Sequence, residues 1–251
     1  MSAASAPALK SVSSLPLANG IRWERGLNDG RKFPEKKPIS EPKMGLTRED
    51  REMLITFLPI EELMKLLADS EDVVRLKAAQ MIGKLDAREC IPELIKKLSS
   101  SSNYIEAEGI IWALSELKAK EAKEIVLTAM ASPFSERLRT AGLLFLGKVG
   151  AVEELPVLVK HLEDERYGVC RSAMDSIVML DFSLLIEQLR WNRNPQVRAD
   201  IAMYLSEVNI LNPREDVYGI LMDCLKTERD RKVVQALIEA IDEISKERMK
   251  E

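Results

Sequence analysis

Gly83-Lys84-Leu85-Asp86-Ala87-Arg88-Glu89-Cys90-Ile91-Pro92-Glu93-Leu94-Ile95-Lys96-Lys97-Leu98 returns 64 positions later as Gly147-Lys148-Val149-Gly150-Ala151-Val152-Glu153-Glu154-Leu155-Pro156-Val157-Leu158-Val159-Lys160-His161-Leu162. Eight of the sixteen pairs are identical, and Leu/Val, Ile/Leu and Ile/Val exchanges fill three more. Self-similarity at a fixed period marks a repeat array, and 64 divides into two units of about 32 residues, the length of a helix pair with its turns.

Working outward, the segment Val74-Arg75-Leu76-Lys77-Ala78-Ala79-Gln80-Met81-Ile82-Gly83-Lys84-Leu85 has a counterpart in each later unit, ending at Leu117, Val149, Leu180, Val208 and Ile244. Successive spacings are 32, 32, 31, 28 and 36. Six helical-hairpin repeats therefore fit between residues 60 and 245, with first helices expected at 60–69, 91–98, 122–131, 153–162, 182–190 and 216–225. Pro92 and Pro156 fall in first turns, where the missing N–H costs little. Positions 74, 78, 82 and 85 share one side of a helical wheel, and their equivalents Leu138, Gly142, Leu146 and Val149, or Val197, Ile201, Leu205 and Val208, predict a core stripe. Ala78, Gly83, Gly142 and Gly147 predict close helix approach, since glycine inside a helix otherwise costs about 1 kcal/mol against alanine.

Composition agrees with an all-α chain. Of 251 residues 46% are hydrophobic and only 5% aromatic, a balance that favours helix over strand. No apolar run reaches the roughly 18 residues of a membrane span, and the first residues do not read as a secretory leader. The expected compartment is the cytoplasm. Cys90, Cys170 and Cys224 lie too far apart for a C-x-x-C clip and are expected to be buried reduced thiols.

The chain divides into a disordered N-terminal arm, 1–45, and a repeat solenoid with an N-terminal capping helix, 46–251. Thr47 and Asp50 predict a capping box opening that helix, which should run to about Leu58 before Pro59 breaks it. The first 43 residues carry eight Lys/Arg and four Asp/Glu, or +4. Since the whole chain is −4, the remainder sums to −8. An acidic body is poorly matched to a phosphate backbone, so nucleic acid is not the expected partner.

Asp69-Ser70-Glu71-Asp72-Val73-Val74-Arg75, followed by Ala78-Ala79, Ile82-Gly83-Lys84-Leu85 and Ile91-Pro92-Glu93-Leu94-Ile95, resembles a HEAT repeat of the short type named after the phycobilisome lyases. The resemblance implies an alpha-alpha superhelix, a HEAT-like solenoid of about six repeats. It also implies a ladder between repeats built from an acid before the second helix and an Arg at its start, places occupied by Asp72, Arg75, Asp164, Arg139 and Arg198. Ala107 and Val234 stand at the Arg position in repeats two and six, so the ladder should be interrupted there.

Chemistry is sparse. A metal-dependent hydroxylase built on such repeats needs several His-Glu pairs, and this chain has one histidine, His161, followed by Leu162. No phosphate loop, nucleophile elbow or Cys/His pair appears. Glu61, Glu62, Glu153 and Glu154 read as solvation and first-turn dipole partners. No catalytic residue, cofactor or metal ligand is assigned. The expected function is a non-enzymatic scaffold or adaptor binding a protein or peptide along the solenoid; the alternative is a subunit of a phycobilin-lyase-like or other modifying enzyme.

Candidate binding residues follow from breaks in the pattern. The position equivalent to Gln80 should be polar, yet it reads Gln80, Trp112, Leu144, Asp175, Met203 and Glu239. The next position supplies Phe145 and Tyr204, nearer the core edge. Trp112, Leu144, Phe145, Met203 and Tyr204 are therefore the expected apolar patch for an amphipathic helix, with Trp112 and Leu144 adjacent and Asp175 separating them from Met203. Trp191, between Arg190 and Arg193, is a second candidate, read either as a stacking cluster or as a side chain folded over the repeat edge. Trp23 is the third: Ile21-Arg22-Trp23-Glu24-Arg25-Gly26-Leu27 carries three large apolar residues and suits a motif that docks a partner or the chain's own acidic body.

Overall fold

The computed structural model describes residues 54–131, 135–211 and 216–249. Among them are twelve α-helices and no strand: α1 (Ile60–Leu66), α2 (Asp72–Lys84), α3 (Ile91–Ser100), α4 (Tyr104–Glu116), α5 (Lys123–Met130), α6 (Glu136–Val149), α7 (Leu155–His161), α8 (Tyr167–Leu180), α9 (Phe182–Trp191), α10 (Pro195–Leu211), α11 (Val217–Thr227) and α12 (Arg231–Arg248). They form six hairpins, as the period required. Even-numbered helices are the second helices; each packs on its own first helix and, in sequence, on the second helix of the next repeat. The expected arm and most of the capping helix lie outside the described residues; Leu54 and Ile55 are helical, with Ile55 buried, and Pro59 precedes α1.

The stripe is core. Ala78, Ile82, Leu138, Leu146, Ile201 and Leu205 are fully buried. Close approach follows where expected: a Cβ on Gly83 would collide with Glu116 of α4, and one on Gly147 would sit 3.0 Å from Ser176 Cα of α8.

One turn is used three times. Asp86 (φ 45°), Lys118 (φ 51°) and Gly150 (φ 73°) recur every 32 residues in the left-handed region. The next residue's N–H reaches back to the helix, Ala87 to Ile82 O at 3.3 Å, Ala119 to Leu114 O at 3.0 Å and Ala151 to Leu146 O at 3.1 Å. This is a Schellman closure, and a short 3-10 turn then leads into the next first helix. The fourth junction abandons it: Asp181 alone, at φ −157°, joins α8 to α9 and caps the latter by accepting from the N–H groups of Ser183 and Leu184. The shortened junction coincides with thinner packing. α8 and α10 touch at few points, whereas α6 with α8 and α10 with α12 pack along their lengths. A cleft of about 310 Å³ opens there, bordered by Asp164, Tyr167 and Asp200.

The ion ladder is present, with a different interruption from the one expected. Arg75, fully buried, donates to the carbonyls of Asp69 and Ser70 in its own turn and to Glu108 of the next repeat at 2.7 Å. Arg139 pairs with Asp164 at 3.4 Å. Arg198 donates to Asn192 O and pairs with Glu228. In each case an odd-numbered repeat holds the even-numbered one after it. Repeat four departs as well as two and six, because Cys170 occupies the Arg position and donates its thiol to Leu162 O at 3.3 Å.

Candidate protein-binding face

One residue of repeat three ties three repeats together. Arg137, in the first turn of α6, donates to both carboxylate oxygens of Asp72 in repeat one, at 2.9 and 2.6 Å, and to Glu108 in repeat two at 3.1 Å. A side chain can reach past a whole repeat only where the second helices converge, so this layer lines the inside of the curve. Asp72 answers two guanidinium groups, Arg137 and Arg75, and its carboxyl is held down at about 2.

The predicted patch divides. Trp112 and Leu144 are half-buried on neighbouring helices α4 and α6, each leaving part of its side chain to solvent. Arg75 lies over the Trp112 ring, its guanidinium carbon 5.7 Å from the centroid. One turn beyond, Lys148 of α6 pairs with Glu116 of α4 at 2.5 Å. The two apolar side chains thus sit between the Arg75–Glu108–Arg137 network on one side and the Glu116–Lys148 pair on the other. Met203, half-buried on α10, packs against the core.

Phe145 and Tyr204 are corrections: both are buried and present no surface. A second helix in a stacked array is covered by a neighbour on each flank, which widens its buried arc beyond a single stripe. Tyr204 is tied in further by donating to Asp175 at 2.8 Å and by Arg171, 5.6 Å from its ring centroid, and burial with the Asp175 bond pushes its phenol above the ordinary range. Arg171 then pairs with Glu207 of α10. These contacts join α8 and α10 across the thin junction.

Trp191 ends α9, in the first-helix layer, and so is separate from Trp112 and Leu144. It is 79% exposed rather than folded over the edge, and borders a cleft of about 240 Å³ with Arg190, Asp223 and Glu228. Trp23 lies outside the described residues. His161 is half-buried, its Nδ1 2.8 Å from the Val157 carbonyl of its own helix. Among the described residues no group of three His, Cys, Asp or Glu is arranged to hold a metal. Asp72 was an expected ladder residue, but its partnership with Arg137 and the part played by Glu108 were not legible in the sequence, because all three hydrogen bonds of Arg137 cross repeat boundaries.

The family described as HEAT repeats matches residues 60–143 and, overlapping, 91–177. Similar solved structures include two. One, the complex of CpcE and CpcF of phycocyanin lyase from Nostoc sp. PCC7120, aligns at a TM-score of 0.44 and 19% identity over 85% of this chain and 98% of the other. The other, the Escherichia coli protein YibA, aligns at 0.53 and 15% identity over 82% and 80%. No curated protein sequence matches the chain.

Proposed function

We propose that this chain, whose residues 60–177 match the family described as HEAT repeats, works as a non-enzymatic scaffold or adaptor, binding an amphipathic helix of a protein partner along its second helices, with Trp112 and Leu144 as the anchors. The supporting observation is their placement: two partly exposed apolar side chains on adjacent helices, on the inside of the curve, between two sets of ion pairs. An apolar centre with a charged surround is the arrangement in which a few residues carry most of the binding energy. Cooperation of neighbouring helices supplies the groove, so the unit of recognition is the pair of repeats two and three. The cytoplasm is the proposed compartment; no helix among the described residues is long and apolar enough to cross a membrane.

The test begins with affinity capture from the native source, identification of the partner, and titration of the purified pair. Trp112→Ala and Leu144→Asp should each weaken binding by at least about tenfold, the scale of a central anchor, while leaving circular dichroism unchanged. Unaltered affinity in folded variants would sink the proposal.

A further inference from the structure

Among the described residues no repeat precedes the first, and only residues 54–58 of the expected capping helix stand before it. Leu85 is 50% exposed, whereas its equivalents Leu117 and Val149 are 1% and 4% exposed beneath the repeats that precede them. In an antiparallel hairpin the start of α1 lies at the same end as the close of α2, so Leu54 and Phe57, 51% and 81% exposed, belong to the same end as Leu85. An array normally closes such an end with a polar cap. Acids lie near this end: Glu61 in the first turn of α1, with Glu89 and Glu93 around the turn after α2, where Glu93 also pairs with Lys97 at 3.7 Å and Arg88 with Asp86 at 2.9 Å. The charges of the three glutamates converge on buried Cys90, whose thiol is pushed up first by burial and then by Glu89, Glu93 and Glu61.

We propose that residues 21–27 of this same chain, Ile21-Arg22-Trp23-Glu24-Arg25-Gly26-Leu27, dock on the open end of repeat one, placing apolar side chains on Leu54, Phe57 and Leu85 and Arg22 and Arg25 among Glu61, Glu89 and Glu93. Three features select this occupant. The chain outside the described residues ends at residue 53, next to Leu54 of the patch. The 26 residues between Leu27 and Leu54 can extend to about 90 Å, so reach is no obstacle. The segment brings the arm's one tryptophan together with two arginines, complementary in charge to Glu61 and Glu89. The docked segment is thus a cap in trans to the array's own period: it completes the stack without being a repeat. This surface is at the end of the array and is independent of the Trp112–Leu144 face.

The experiment uses the full chain with Trp112→Phe and Trp191→Phe, leaving Trp23 as the reporter, and measures acrylamide quenching against a synthetic peptide of residues 1–43. A short tether supplies an effective concentration of about 1 mM, so an intrinsic Kd of about 0.1 mM leaves about a tenth undocked and lowers quenching about tenfold. Leu85→Glu and Phe57→Glu should each restore peptide-like quenching, as should high salt in part. Both positions are exposed, so dichroism should stay native; should one variant unfold, the other decides. Peptide-like quenching in the full chain overturns the proposal. So does protection that survives both substitutions, which would place the segment elsewhere, or protection that disappears on roughly hundredfold dilution, which would assign it to a second copy.

Discussion

Arg137 grips Asp72 across an intervening repeat, with both guanidinium nitrogens on both carboxylate oxygens. This contact and the buried Arg75–Glu108 pair link three repeats, and they make different demands on the protein.

The Arg137–Asp72 contact is partly exposed and should respond to acid. Asp72 has its carboxyl lowered from 3.8 to about 2 in the native state, chiefly by Arg137 and then by Arg75. The ionised form therefore favours folding: the contribution is complete above about pH 4 and fades as the pH falls through about 2. Arg137→Gln should flatten the acid limb of stability against pH, with a loss at neutral pH of about 1 kcal/mol or less, the scale of an exposed pair. Urea unfolding at a series of pH values checks it; an unchanged acid limb contradicts it.

Arg75 is a different case, with no solvent to relieve its loss. Arg75→Met leaves buried Glu108 with only the partly exposed Arg137 as its cation and should cost towards the lower end of about 3–5 kcal/mol, whereas the double variant Arg75→Met with Glu108→Leu should recover most of that, since the poorly compensated charge is gone. Chemical denaturation of the two variants measures the difference. Equal losses would mean that packing of the Arg75 stem over Trp112 outweighs its charge.

The Schellman turns carry removable strain. Lys118 sits at φ 51°, where a side chain costs about 1 kcal/mol or more and glycine costs nothing. Lys118→Gly should stabilise the protein by about 0.5–1 kcal/mol, and Gly150→Ala should destabilise it by a similar amount although no atom lies within 4 Å of the added Cβ. Thermal melts of both variants decide it.

Cys170 should be inert. Burial first, then Asp200 and Asp164, push its thiol up to about 12. Thiolate is the reactive form, so alkylation at pH 8 should be about a thousandfold slower than for a thiol at the ordinary value of 9.0. Mass spectrometry after timed iodoacetamide treatment, with and without denaturant, reports it; rapid labelling of the native protein would show that repeat four opens.

What the sequence made legible was whatever repeats locally. Gly83 and Gly147 announced helix contact, and positions 78, 82 and 146 announced core, because each depends on one helix and its immediate neighbour. Phe145 and Tyr204 were misplaced since a helical wheel carries one stripe and cannot include cover from both flanks. Arg137 was silent because its role needs curvature, a property of three repeats at once. Cys170 was overlooked at the ladder position because a thiol and a guanidinium share only the ability to donate to the preceding turn.

Arginine at the ladder position in repeats one, three and five, with Ala107, Cys170 and Val234 between them, has a consequence for how such a chain can grow. Each arginine requires an acid in the unit that follows, supplied here by Glu108, Asp164 and Glu228. Excising one unit sets an arginine against a successor that evolved no carboxylate for it, or strands a carboxylate with no cation. A couplet of two repeats is therefore the smallest length that can be duplicated, deleted or grafted with these three ladder pairs intact. Cuts at Asp86 to Glu89 and Ala151 to Glu154 would divide couplets, while cuts before Lys120 and at Asp181 would respect them.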